Sequence, residues 1–287
     1  MKFGLFSTFM SPMADRNMIK SFAMQAEEIG VDSLWLGEHV VVFDEMEFPY
    51  PGSPDGKIPT PPGGGLLDTV ATFGFLASIT ERLRFGTGIS LISQRNPLYT
   101  AKEFATLDWL TDGRIDFGVG VGWCKEEVIA SGYSWEDRGA RSDEFLAMIK
   151  ALWTQEQAEF SGEHFQLEPC RMDPKPVQKP HVPIFVGGHS KPALRRTAEY
   201  GDGWYGFQIG PGGTAKVIEE LKPLLEQRGR SMDDVEVVIT PTSDAPEAIE
   251  GFAEIGVTRL ILPLGSQRAE KLEARLQQVA QLIRDFS

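Results

Sequence analysis

Short apolar runs alternate with helix-patterned segments along nearly the whole 287-residue chain, and this alternation constrains the fold more than any single motif. The runs are KFGLFSTF, DSLWLGEH, LRFGTGISL and RIDFGVGVG in the first half, and VPIFVGG, DGWYGF, VEVVITP and TRLILPLG in the second. Strands this continuously apolar belong in a parallel sheet buried on both faces. Eight of them, each followed by a helical segment, predict a closed (β/α)₈ barrel, a single domain over residues 1–287, in preference to an open sheet.

Two insertions, after strands 2 and 4, interrupt the repeat. Residues 40–65 are rich in Pro and Gly and follow strand 2, so in a barrel they overhang the C-terminal mouth, where such loops shape substrate pockets. Residues 124–181 read as two helical stretches, a hairpin in AEFSGEHFQLE, and an extended Pro-rich connector.

Composition narrows the function. A formal net charge of -13, with no local basic cluster, repels a polyanion, so no nucleic-acid partner is expected. No apolar run reaches the length of a membrane span, and MKFGLFSTFM lacks a signal-peptide cleavage site and reads as the first core strand. The two cysteines, Cys124 and Cys170, and the histidines at 39, 164, 181 and 189 form no disulfide framework and no metal-ligand spacing. A reducing cytoplasm is the expected compartment.

Gly118, Gly120 and Gly122 do not form a dinucleotide fingerprint, because the sixth position from Gly118 is Trp123 where a third glycine is required. Alternate glycines leave one face of a strand bare, which admits a flat ring or a neighbouring backbone; tight strand–helix packing is the alternative. Glu38 and His39 end the second strand, at the barrel end where functional residues gather. A metal pair is disfavoured there, since adjacent strand residues diverge and no third ligand is evident.

RFGTGISLISQRNPLYTAKEFATLDWLTDGRIDFGVGVGWCKEE, with WLGEH before it and PIFVGGHSKPALRRTAEYGDGW after it, resembles the bacterial-luciferase-like family of flavin- and deazaflavin-dependent oxidoreductases. Its branch dependent on coenzyme F420, an 8-hydroxy-5-deazaflavin, is the most similar. The resemblance implies hydride transfer between coenzyme F420 and a small organic substrate. It leaves open an FMN-dependent monooxygenase that uses O₂ and is supplied by a separate reductase, and a non-catalytic flavin-binding barrel.

The resemblance also assigns residues. Glu38 is placed near the polar edge of the ring system, and His39 becomes the proton donor or acceptor, a task suited to a group titrating near neutrality; a histidine that merely anchors the long loop is the alternative. A non-proline cis peptide is expected after strand 3, with Ser90 and Leu91 supporting the ring. Gly120 and Trp123 line the opposite side, although Trp123 also reads as a helix-packing aromatic.

For the cofactor phosphate, the turn Gly187, Gly188, His189, Ser190 opens a helix whose free N–H groups suit an anion, with PLGSQ after strand 8 as the competing site. Arg95 reads either as a cofactor neighbour or as a capping or solvated arginine. Where sugar-phosphate dehydrogenases of the family carry a catalytic glutamate, this chain has Val121, which argues against that activity; Cys124 is expected to be inert. Homodimerisation, common among such barrels, is expected through LLDTVATFGFLASIT and LYTAKEFATLDWL, which are more apolar than one barrel face requires.

Overall fold

In a computed structural model, which describes residues 1–287 apart from 51, 52, 54, 266 and 287, the eight apolar runs are the eight strands of a closed barrel. They are β1 (Lys2–Ser7), β2 (Ser33–Leu36), β3 (Arg84–Thr87), β4 (Ile115–Gly120), β5 (Ile184–Gly187), β6 (Gly203–Ile209), β7 (Glu236–Pro241) and β8 (Arg259–Pro263). All pairings are parallel. Closure comes where Lys2 of β1 sits opposite Arg259 of β8, while Leu5 faces Leu34 of β2 and Phe85 of β3 faces Ile115 of β4.

The helices are α1 (Arg16–Glu28), α2 (Thr69–Ala77), α3 (Pro97–Leu110), α4 (Lys125–Ala130), α5 (Arg138–Thr154), α6 (Lys191–Tyr200), α7 (Pro211–Glu226), α8 (Pro246–Glu254) and α9 (Ala269–Phe286). The long connection after β2 precedes α2. The one after β4 holds α4, α5 and an antiparallel hairpin of Ala158–Ser161 with Gln166–Cys170. No helix among the described residues is long and apolar enough to cross a membrane.

Local chemistry explains the motifs between strands. Asn96 caps α3 by accepting from the Leu98 and Tyr99 amides, and Pro97 occupies the first helical turn, where no N–H is needed. LDWLTDGR closes the same helix: the fully buried Asp108 accepts from both the backbone and side-chain nitrogens of Gln178, and Arg114 donates to the Ala77, Leu83 and Thr111 carbonyls. These residues fasten α3 to the barrel and to the Pro-rich connector.

The barrel interior is filled by Trp35, Phe185, Tyr205, Val238 and Ile261, with Phe6 and Ile89 packed on them. Trp35 stacks on Tyr205 at 5.0 Å and meets Phe185 edge-on at 5.5 Å. This plug resolves the glycine run. A Cβ on Gly118 would stand 1.8 Å from the Thr87 carbonyl oxygen, so the close approach there is that of the neighbouring strand's backbone.

Below the plug, Asp116 of β4 is buried between Arg84 of β3 and Arg259 of β8, at 2.5 and 2.6 Å. Burial works to raise the Asp116 carboxyl, but the two guanidiniums outweigh it and hold it below the usual carboxylate range. Removing one partner leaves buried charge uncompensated, so Asp116→Ala is expected to lose about 3–5 kcal/mol in urea unfolding. The sign follows from the depressed folded pKa. This contribution is complete above the unfolded value of about 4 and declines as pH falls through the folded value, so wild type and variant converge in acid. A stability difference that did not shrink in acid would contradict the ion-pair assignment.

Candidate active site

The C-terminal ends of the strands surround a cavity of about 470 Å³. Its floor is the top of the aromatic plug. The Tyr205 ring is fully buried, with its hydroxyl 2.6 Å from the Thr240 hydroxyl, and burial pushes its titration well above the ordinary phenol value. Ile89 forms the adjoining floor, following a cis peptide between Gly88 and Ile89, one residue ahead of the Ser90–Leu91 pair that sequence reasoning singled out. Gly120 leaves room for this side chain, because a Cβ there would come within 1.8 Å of Ile89 Cδ1 as it is placed. Trp123, Tyr50 and Phe207 supply aromatic walls.

Glu38 is held as an anchor. Its Oε2 accepts from the Ser90 hydroxyl at 2.9 Å and the Leu91 amide at 2.8 Å, and its Oε1 accepts from Arg95 Nε and Nη2 at 2.8 and 2.5 Å. Arg95 also reaches Glu103 at 3.1 Å, so it is neither a solvated nor a capping arginine. This buried, charge-assisted set ties the segment after β3 to the end of β2.

His39, the next residue, turns the other way. Its Nδ1 lies 2.8 Å from Oε2 of Glu127 on α4, and Glu127 Oε1 accepts from the Val40 amide at 2.6 Å. Burial works to raise the Glu127 carboxyl, but the His39 ring, the Val40 amide and Gln94 together hold it below the usual range, so it is ionised. An ionised carboxylate only accepts, so Nδ1 of the ring carries the proton shared with Glu127, and the ring itself lines the cavity. Trp123 packs edge-on against the imidazole at 5.7 Å and Tyr50 at 6.4 Å, fixing its plane.

On the far side, Gly187, Gly188 and His189 line the cavity, while Ser190 caps α6 by accepting from the Ala193 amide. Gly188 has φ +97°, a backbone state that side chains rarely adopt, and its carbonyl accepts from the Trp204 indole at 2.7 Å. The turn leads into the start of a ten-residue helix. In the competing turn after β8, the Gln267 side chain is already engaged with the Thr8 carbonyl and the Met10 amide, and Ser266 lies outside the described residues.

Of the residues singled out from sequence, Glu38, His39, Leu91, Trp123, Gly187, Gly188 and His189 therefore share one cavity. Ser90, Gly120 and Ser190 stand directly behind its walls. Cys124 is buried, and its thiol is pushed up by that burial, consistent with an inert role. Among the described residues no group of His, Cys, Asp or Glu is arranged to hold a metal. Sequence reasoning missed Glu127, which is 88 positions from His39 and carries no local signature of that pairing. It also missed Tyr205, Phe207 and Gln208, which the rule that strand ends face the mouth would have found.

Glu127→Gln tests the tautomer. With its amide oxygen retained on the Val40 N–H, the new NH₂ faces Nδ1 and forces the proton onto Nε2, the inversion that disables histidine bases elsewhere. Nitrogen NMR of the His39 ring should report Nδ1–H in the parent protein and Nε2–H in the variant. The same tautomer in both would mean that the carboxylate does not orient the ring.

A luciferase-like monooxygenase model matches residues 1–244. An uncharacterised protein of Mycobacterium tuberculosis is 29% identical over 271 residues, 93% of this chain and 94% of that one. An F420-dependent glucose-6-phosphate dehydrogenase of Amycolatopsis mediterranei is 26% identical over 263 residues, 87% of this chain and 71% of its own. An FMNH₂-dependent dimethylsulfone monooxygenase of Pseudomonas putida is 38% identical over 133 residues, 45% of this chain and 36% of its own. Among solved structures, the monooxygenase RslO1 from Streptomyces bottropensis superimposes with a TM-score of 0.79 at 19% identity, covering 100% of both chains. The coenzyme F420-dependent tetrahydromethanopterin reductase of Methanopyrus kandleri does so with a TM-score of 0.79 at 16% identity, covering 100% and 99%. The match over residues 1–244 and the barrel mouth agree: this chain is an enzyme of the luciferase-like monooxygenase family, whose relatives include both F420- and FMN-dependent oxidoreductases.

Proposed function

We propose that the enzyme binds coenzyme F420 and moves a hydride between it and a small organic alcohol or carbonyl compound. The observation that carries this reading is the His39 ring, which lines an aromatic-walled cavity and is held through Nδ1 by buried Glu127. The residues suit a planar ring system. The cavity volume falls in the range for organic cofactor sites, its walls are largely apolar, and Gly188 lets backbone approach a phosphate at the start of α6.

When bound, a deazaflavin supplies a ring carbon that gives or takes a hydride. The protein's part is the proton. As an alcohol C–H leaves as hydride, Nε2 takes the O–H proton and Glu127 stabilises the resulting imidazolium; in the reverse direction the imidazolium returns it to the carbonyl oxygen. Glu38 holds the Ile89–Leu91 floor in place through Leu91 and Ser90.

A second reading, FMN with O₂ and a partner reductase, is favoured by the 38% match to the dimethylsulfone monooxygenase, which covers 133 residues. Titration with each cofactor separates them: the expected result is tighter binding of coenzyme F420 than of FMN. On a substrate the enzyme accepts, His39→Ala should keep the cofactor Kd and lose about 10²-fold or more in turnover, the usual contribution of a positioned acid or base. FMN binding as tight, with oxygen uptake driven by a reductase, would replace this proposal with the second.

The assembly we propose is a homodimer through α2 and α3. Tyr99, Trp109 and Leu110 on α3 are 73%, 58% and 70% exposed, large apolar surfaces that a two-fold contact between copies would cover. Sedimentation at micromolar concentration should give a dimer; a monomer would overturn the assignment.

A further inference from the structure

Resting on the hydride-transfer reading above, we propose that the substrate is an uncharged molecule with a compact apolar body and one reacting hydroxyl or carbonyl, and that the His39 side of the cavity, away from the turn at Gly188, disfavours phosphorylated and carboxylated substrates. Among the described residues, no lysine or arginine lines the cavity, and its titratable side chains are Glu38, His39, Tyr50, His189 and Tyr205. On the His39 side the nearby cations are committed elsewhere, Arg95 to Glu38 and Glu103 and Lys125 to Glu47 at 2.6 Å, while Lys191 stands at the other side, at the start of α6. Glu38 is paired with its own arginine, and the carboxylate of Glu127 lies behind the His39 ring at Nδ1, so the charge closest to that ring is negative. An anionic group brought beside His39 would be desolvated with no counter-charge, which is strongly disfavoured.

The walls favour the opposite chemistry. Trp123 and Tyr50, tilted against each other at 5.4 Å, both flank the imidazole, so a molecule whose oxygen reaches Nε2 lays its body on these two rings. Directly after His39, the loop carries three exposed valines, Val40, Val41 and Val42, at 68%, 45% and 42%. This loop is fastened in place. The Val40 amide donates to Glu127, the Glu47 amide donates to Glu126 at 2.8 Å, and Phe48 stacks on Trp135 at 5.7 Å. The reaction balances on these groups: the substrate C–H pair leaves as hydride to the cofactor, the O–H proton goes to Nε2, and the C–O bond becomes C=O.

Calorimetry of the protein loaded with whichever cofactor it retains tests this with cyclopentanone, cyclohexanone and cycloheptanone, with 4-oxocyclohexanecarboxylate as the same body carrying one charge, and with glucose 6-phosphate. Kd should fall about three- to four-fold per added methylene, the size of hydrophobic transfer for one CH₂. The charged pair should bind at least ten-fold more weakly than cyclohexanone. Trp123→Ala and Tyr50→Ala should flatten the size dependence, and Leu66→Lys, which adds a cation to the lining, should narrow the penalty on the carboxylate. A carboxylate or glucose 6-phosphate that binds as tightly as cyclohexanone, or a Kd indifferent to ring size, would overturn the proposal. Calorimetry reads binding without turnover, so a ranked series with no deazaflavin reduction would refute hydride transfer and leave this specificity standing. Reduction of the deazaflavin by glucose 6-phosphate would do the reverse.

Discussion

The aromatic plug in the barrel interior is the constraint on which the rest of the structure depends. Trp35, Phe185 and Tyr205 fill the space inside eight strands, so the cavity exists only where the plug stops, at the C-terminal mouth. Rings of that size leave no room for side chains on parts of the neighbouring strands: a Cβ on Gly86 would stand 2.4 Å from the Trp35 ring and one on Gly203 2.2 Å from the Phe185 ring. The plug also separates two electrostatic regimes. The Asp116–Arg84–Arg259 cluster lies on the far side, where it stabilises the fold without placing free charge at the reacting site.

Adjacent residues at the end of β2 then divide the labour at the mouth. Glu38 turns toward the segment after β3 and Glu127 holds the ring of His39, so a single dipeptide joins three strand-end connections around the cavity. Each buried carboxylate has its lone pairs occupied by donors, which makes it tolerable in a largely apolar setting. The consequence is that neither is free to act as a general base. In the proposed reaction that leaves His39, held through Nδ1 by Glu127, as the group for proton transfer.

The barrel was legible in the sequence because its signal is long-range and repetitive: eight apolar runs with helices between them admit few topologies. His39 and Glu38 were legible because the position of a residue at a strand end fixes which end of the barrel it faces. Their partners were not. Glu127 sits in a KEE triplet that in isolation reads as an exposed helix start, and nothing local distinguishes it from Glu126, which bonds the Glu47 amide at the surface. Likewise Gly120 reads as a possible ring contact, and only the placement of Ile89 over it reveals that it makes room for the cavity floor. Spacing determines which face a residue occupies, but the identity of its neighbour across the barrel depends on closure and register.

The absence of a glutamate at Val121 acquires a meaning from this geometry. The resemblance implies a glutamate soon after the fourth strand's glycines in some sugar-phosphate enzymes, whereas in this chain a carboxylate reaches His39 from α4 and holds Nδ1, with its second oxygen on the Val40 amide. A carboxylate placed behind the ring raises its basicity without adding charge to the substrate side. One projecting into the cavity would instead present a second acid and a polar wall. Removing the acid from the front and burying it behind the histidine therefore leaves the mouth apolar while keeping proton transfer, and that combination favours a substrate that contributes a single oxygen and binds through its hydrocarbon surface.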